Sequence, residues 1–149
     1  MDAAWNGHVE VVRLLIDKGA NVNAIDDEGG AALMLACKNG HLGAAKALID
    51  HNANVNAVKF DDGWTSLHFA SENGYAEIVK ALLAKNGDVN IRDHEGWTPL
   101  HQASIEGHTT IVANLIEHGA NINASTNDGW NSLMFSRFVL YCFTASAML

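Results

Sequence analysis

Asn23, Asn56, Asn90 and Asn123 recur at a period of about 33 residues, and Gly29, Gly63, Gly96 and Gly129 keep step with them. A recurrence of that length points to a solenoid of stacked units, each leaning on its neighbours for part of its stability.

Superposing the copies assigns a task to each residue type. The fullest copy runs from Asp93 to His108, with Thr98 as a helix N-cap and Pro99 at the first helical position, where a missing N–H costs nothing. Gly107 ends that short helix, since a left-handed residue is cheapest without a Cβ. A second helix follows, with Ile111, Val112, Leu115 and Ile116 at the i, i+1, i+4, i+5 spacing of one buried face. The same face returns as Val11, Val12, Leu15, Ile16, then Ala44, Ala45, Leu48, Ile49, then Ile78, Val79, Leu82, Leu83. Gly19, Asn52, Asn86 and Gly119 close the second helices, being residue types that tolerate positive φ. A polar Ala-Asn-Val-Asn segment and a glycine turn lead into the next copy.

This helix-turn-helix unit with an intervening turn resembles the ankyrin repeat. Gly96-Trp97-Thr98-Pro99-Leu100-His101 and Gly119-Ala120-Asn121-Ile122-Asn123 lie close to that family's pattern, and the resemblance extends from Ala3 to Ser136. It implies an all-α solenoid of paired helices with hairpin-like finger loops, whose fingers and first helices line a concave surface that binds another protein. The expected organisation is one domain over residues 1–149: a partial repeat 1–25, full repeats 26–58, 59–92 and 93–125, and a degenerate repeat 126–149.

Several classes of chemistry lack their residues. Cys37 and Cys142 form neither a disulfide framework nor a Cys-x-x-Cys metal spacing, and Cys37 takes the small first-helix position that is Ser71 and Ser104 elsewhere. The histidines follow the repeat: His8, His41 and His108 each succeed a helix-ending glycine, while His68 and His101 close the Thr-Pro-Leu-His-like motif. Such stacked histidines suit hydrogen bonds between repeats rather than convergence on one ion. No phosphate loop or nucleophile elbow is present, so neither cofactor nor catalysis is expected. With no charged leader followed by an apolar run at the N-terminus, the expected location is the cytoplasm, with the nucleus as the alternative.

The net charge of −8 is concentrated. Asp26, Asp27, Glu28, Asp61, Asp62, Asp93, Glu95 and Asp128 all fall in the fingers, opposed there only by Lys59 and Arg92. A stripe of this sign repels a phosphate backbone, which argues against nucleic acid, and it would steer a basic partner. The same acids are also ordinary turn formers. Trp64, Trp97 and Trp130 occupy one position in three consecutive copies and form a ladder. With layers about 8–10 Å apart, three rings make either a strip for a peptide or helix, or packing over the finger bases.

Departures from the pattern are local. The second copy has Gly30-Ala31-Ala32-Leu33-Met34, losing cap, proline and histidine together, and is expected to be the softest full repeat. The third finger holds one extra residue between Asn56 and Gly63 and offers Phe60, aligned with Asp93, as a contact. The apolar run Phe138-Val139-Leu140-Tyr141-Cys142-Phe143 contradicts the polar cap a solenoid needs, which suggests a fragment of a longer array or a docking end; it is too short to span a membrane. Thr144, Ala145, Met148 and Leu149 keep the second-helix register.

The leading functional expectation is a non-enzymatic scaffold that binds a basic or amphipathic segment of another protein; the alternative is a regulatory or targeting segment of a larger enzyme or channel. The candidate contacts are Asp27, Glu28, Phe60, Asp61, Asp62, Trp64, His94, Glu95, Trp97 and Trp130 on the fingers. Lys38, Glu72, Asn73, Ile105 and Glu106 join them from the first helices, beside Asn39. Leu82 to Asn90 further resembles the pattern acted on by the ankyrin-directed asparaginyl hydroxylase, which makes Asn90 a candidate for modification.

Overall fold

A computed structural model describes residues 1–134, and among them eight complete α-helices pair off. They are α1 (Asp2–Trp5), α2 (Val9–Asp17), α3 (Ala32–Lys38), α4 (Leu42–Asp50), α5 (Ser66–Glu72), α6 (Ala76–Leu83), α7 (Pro99–Ile105) and α8 (Thr109–Glu117). The first helices α1, α3, α5 and α7 stack in one row and the second helices α2, α4, α6 and α8 in another. Among the described residues the only β-pairings are isolated bridges, Ile25 with Ala31 and Ser125 with Asn131. The residues from Phe138 to Phe143, the second cysteine Cys142, and the register positions Thr144, Ala145, Met148 and Leu149 lie outside the described residues.

Helix boundaries follow the local signals. Thr98 caps α7 with Pro99 at its start, and the His101 N–H donates to Thr98 Oγ1 at 3.4 Å. In return the Thr98 N–H donates to His101 Nδ1 at 3.0 Å, which closes a reciprocal capping box with histidine in the role more often taken by Glu or Gln. Thr65 and His68 repeat the arrangement on α5. Ala31 precedes α3 with no side-chain acceptor, as its sequence foretells. Asn52 and Asn86 adopt φ of 63° and 60° where their counterparts are glycines.

The expectation of one buried four-residue face on every second helix needs correction. On α4 and α6 all four apolar residues are buried, but α2 exposes Val11 (47%) and Leu15 (48%) while burying Val12, and α8 buries Ile111 and Leu115 while exposing Ile116 (46%). Each helix therefore carries two faces. The first and third residues of the set pack back on the preceding repeat, and the second and fourth pack forward on the next. Among the described residues only α4 and α6, each with a second helix on either side, bury all four, and each Val, Leu or Ile so buried contributes about 1.5–3 kcal/mol.

Polar side chains bridge the layers. Asn23, Asn56 and Asn90 each donate Nδ2–H to a carbonyl that closes the second helix of the following repeat, on Asn52, Asn86 and Gly119 at 3.2, 3.1 and 3.1 Å. Their Oδ1 atoms accept the N–H of Asn54, Asp88 and Asn121 at 2.7, 2.8 and 2.7 Å. Histidines on the first helices add further bonds: His68 Nε2–H donates to the Trp97 carbonyl of the next repeat at 3.1 Å, and His101 Nε2–H to the Ala124 carbonyl of its own repeat at 2.9 Å. His41 reaches the Trp5 carbonyl at 2.8 Å and His108 that of Glu72 at 2.9 Å. The sequence expectation of inter-repeat histidine bonds holds for His41, His68 and His108, while His101 bonds within its own repeat.

Candidate functional site

Stacked fingers beside stacked first helices leave a hollow between the third and fourth repeats. It encloses about 370 Å³ and is lined by Asp61, Asp62 and Trp64 from one finger, Asp93, His94, Glu95 and Trp97 from the next, and Gln102, Ile105 and Glu106 from α7 and its C-cap. Most of the candidate contacts between Asp61 and Glu106 thus share one cleft.

The fingers are held in place by their own backbones. Asp93 Oδ1 accepts the N–H of Glu95 at 3.0 Å and of Trp97 at 2.8 Å, and its Oδ2 accepts the Trp64 indole N–H at 3.1 Å from the neighbouring finger. The His94 N–H donates to the Asp62 carbonyl at 3.0 Å, and its ring lies so close to Gly63, at φ 80°, that a Cβ there would stand 2.7 Å from the imidazole. Glycine is needed at Gly63 for both reasons.

The third finger corrects the alignment of Phe60. The Lys59 N–H donates to the Trp64 carbonyl at 2.8 Å as Asp93 does to Trp97 at 2.9 Å, and the Phe60 N–H donates to Glu28 at 2.8 Å as His94 does to Asp62. Lys59 therefore stands in the place of Asp93, and Phe60 in that of His94. The extra residue belongs to the turn that follows. The Phe60 ring lies against Gly29 of the preceding finger, stays 60% exposed and does not line the cleft.

The acids are not equivalent. Lys59 Nζ sits 2.6 Å from Asp61 and 3.6 Å from both Glu28 and Asp62, and its hydrogen bond holds the Asp61 carboxyl below its usual range. Part of the acidic stripe is thus internally countered. Glu72, on α5, is held above the usual carboxylate range by burial and by the like charge of Glu106. Lys38 lies 5.5 Å from the centre of the Phe69 ring, and Asn73 caps its own helix by donating to the Phe69 carbonyl at 2.8 Å. Asp27 and Trp130 are exposed on the flanking fingers, outside the cleft. Asn90 is exposed too, with both ends of its amide committed to the next repeat.

Two of the tryptophans pack at the finger bases, one of the two readings the sequence left open. Trp64 packs on Phe69, ring centres 4.9 Å apart, and on His68 at 5.8 Å; Trp97 meets His101 edge-on at 6.0 Å. Both are half-buried and present their remaining surface to the cleft.

Sequence reasoning passed over Gln102. It lies in register with Leu35 and Phe69, and the signal was a polar residue where two other copies are apolar. Among the described residues no group of His, Cys, Asp and Glu could hold a metal ion, and no helix is long and apolar enough to cross a membrane. Cys37 is packed in the core with its thiol pushed up to about 12 by burial, which makes it inert.

The family model for ankyrin repeats matches residues 1–93 and 82–137, in three copies. The chain belongs to the ankyrin-repeat family. Ankyrin repeats are generally protein–protein interaction modules and typically carry no enzymatic activity. No curated protein matches this ankyrin-repeat chain.

Proposed function

We propose that this chain is a protein-binding scaffold without chemistry of its own, working in a reducing compartment such as the cytoplasm or nucleus. Its partner is a basic or amphipathic segment that runs across the third and fourth repeats, along the fingers and first helices. The observation that carries this reading is the cleft itself, where two half-buried indoles and several carboxylates from two fingers and α7 surround one hollow. Aromatic walls anchor a partner, and the acids steer it.

Affinity capture with the purified chain, followed by kinetics on variants, tests the proposal. Trp97→Ala should mainly speed dissociation and cost about 2 kcal/mol. Asp61→Asn with Asp62→Asn should slow association and flatten its salt dependence. A captured partner whose binding ignores both sets would place the interface elsewhere, the sequence alternative being the apolar run around Phe138 and Phe143.

A further inference from the structure

Gln102 is only 8% exposed, yet its side-chain amide makes no hydrogen bond among the described residues, and it lines the cleft. The amide atoms themselves stay open to the cleft, where water is what meets them and a ligand could take its place. The same position on α5 is Phe69, whose ring fills the space beside Trp64 at 4.9 Å, and on α3 it is Leu35. Putting Gln102 there gives up that packing, leaves the hollow open beside Trp97 and directs into it an amide with no protein partner.

The neighbouring charges say what would satisfy it. Asp93 is spent on Glu95, Trp97 and Trp64, and Asp61 and Asp62 are engaged by Lys59. No donor or cation among the described residues reaches the carboxylates of Glu95 and Glu106 within hydrogen-bond distance. Glu106 also carries its charge close to Glu72, whose carboxyl is held up by burial and by that proximity. The cleft therefore offers two free carboxylates, an amide oxygen and indole surface, and has no positive charge of its own to balance them.

The geometry points to a socket for one arginine side chain of the partner protein, held between Glu95, Glu106 and the Gln102 amide and stacked on Trp97. A guanidinium fits this set better than an ammonium. Its planar fork carries five donors for acceptors that arrive from a finger and from a helix, it stacks on an indole face, and it is the more weakly hydrated cation. The volume of about 370 Å³ accommodates the side chain together with the flanking backbone, with Ile105 at the apolar edge. The Gln102 NH₂ remains available for a carbonyl of that backbone.

This inference deepens the binding role proposed above and rests on it, but the two can fail separately. The test is an NMR titration of the isotope-labelled full chain with acetyl-Ala-Arg-Ala-amide, following the indole N–H signals of Trp64 and Trp97 and the side-chain amide of Gln102. Saturable shifts at these groups are expected, with the lysine peptide at least about fivefold weaker and the citrulline peptide at least about tenfold weaker. Gln102→Leu, the residue type of Leu35, should abolish saturation while leaving the melting curve near that of the wild type. Glu106→Gln should weaken binding about tenfold and serves if the first variant proves unstable.

Shifts that never saturate, that are equal for arginine and citrulline, or that survive Gln102→Leu would overturn the socket. Equal binding of lysine would overturn its preference for a guanidinium. A captured partner that needs Trp64 and Trp97 but is indifferent to Gln102→Leu would leave the scaffold role standing and remove the socket. Saturable binding of the arginine peptide, combined with a partner that ignores the cleft variants, would do the reverse.

Discussion

The Trp64 indole N–H donates to Asp93 Oδ2 at 3.1 Å, so the wall of the cleft on one finger is held by the carboxylate of the next. The other oxygen of Asp93 already accepts two backbone N–H groups that shape its own turn. One side chain thus sets both the finger's curvature and the orientation of its neighbour's indole. Asp93→Ala should lose all three bonds and destabilise the chain by about 2–3 kcal/mol, while Asp93→Asn, which can keep the turn but presents an NH₂ to the indole, should lose about 1 kcal/mol. Urea titration followed by tryptophan fluorescence checks the order of the two, and an equal loss would detach the indole contact from stability.

The locks at His68 and His101 make stability depend on pH. Each ring donates Nε2–H to a backbone carbonyl, His68 to Trp97 of the next repeat and His101 to Ala124 of its own, and accepts a threonine N–H at Nδ1, an arrangement open only to neutral imidazole. Burial holds both groups below their ordinary value of 6.5. The unfolded chain therefore binds more protons than the folded one, and stability falls as pH drops below about 6.5 and levels off once the folded groups also titrate. Glu72, raised by burial, acts in the opposite direction in the more acidic range. Melting temperatures from pH 7.5 to 5 should decline, and His68→Gln with His101→Gln should lower the plateau yet flatten the slope. An unchanged slope in the double variant would assign the pH dependence to other groups.

Most of the fold was legible because the period, the helix caps and the turn residues agree with one another, as Thr98, Pro99, His101 and Gly107 do within a single copy. Other features depend on relations between copies. Val11 and Ile116 read as buried until it is known which of their neighbours exists, since the spacing of a helical face does not say on which side it has a partner. The register of Phe60 was out of reach for a different reason: an inserted residue can be absorbed anywhere in a turn, and the backbone hydrogen bonds of Lys59 and Phe60 decide where. For the site, the tryptophans and acids were visible as repeated types. Gln102 was not, because its meaning lies in what it fails to fill.

The asparagine rungs should be among the most costly exposed side chains to remove. Asn90 joins its own repeat to the next through both ends of its amide, at 3.1 and 2.7 Å. Asn90→Ala breaks two bonds and leaves two backbone groups to water, for an expected loss of about 1–2 kcal/mol; Asn90→Asp keeps the acceptor and should lose about half as much. The same bonds bear on modification. An asparaginyl hydroxylase needs the chain around Asn90 drawn away from Gly119 and Asn121, so a peptide of residues 80–92 should be modified faster than the folded protein. Mass spectrometry of both substrates measures the ratio, and absence of added oxygen on the peptide would end the assignment of Asn90.

Hydrogen exchange should reveal how the two-faced second helices distribute stability. α6 buries Ile78, Val79, Leu82 and Leu83 because a helix packs on each side of it, and α5 above it carries the Thr65–His68 capping box. α4 is equally enclosed, but alanine supplies much of its packing and α3 starts at Ala31 with no side-chain cap. α2 leaves its backward pair open, and α8 exposes Ile116. In an array governed by nearest-neighbour contacts, opening free energy follows the number of covered faces. The slowest amides should therefore lie in α5 and α6, those of α4 and α7 next, and those of α2 fastest among the second helices. Within α3 the first turn, Ala32 to Leu35, should exchange earlier than the matching turns of α5 and α7. Slowest exchange in that first turn of α3, or in α2, would show that caps and covered faces do not set the order.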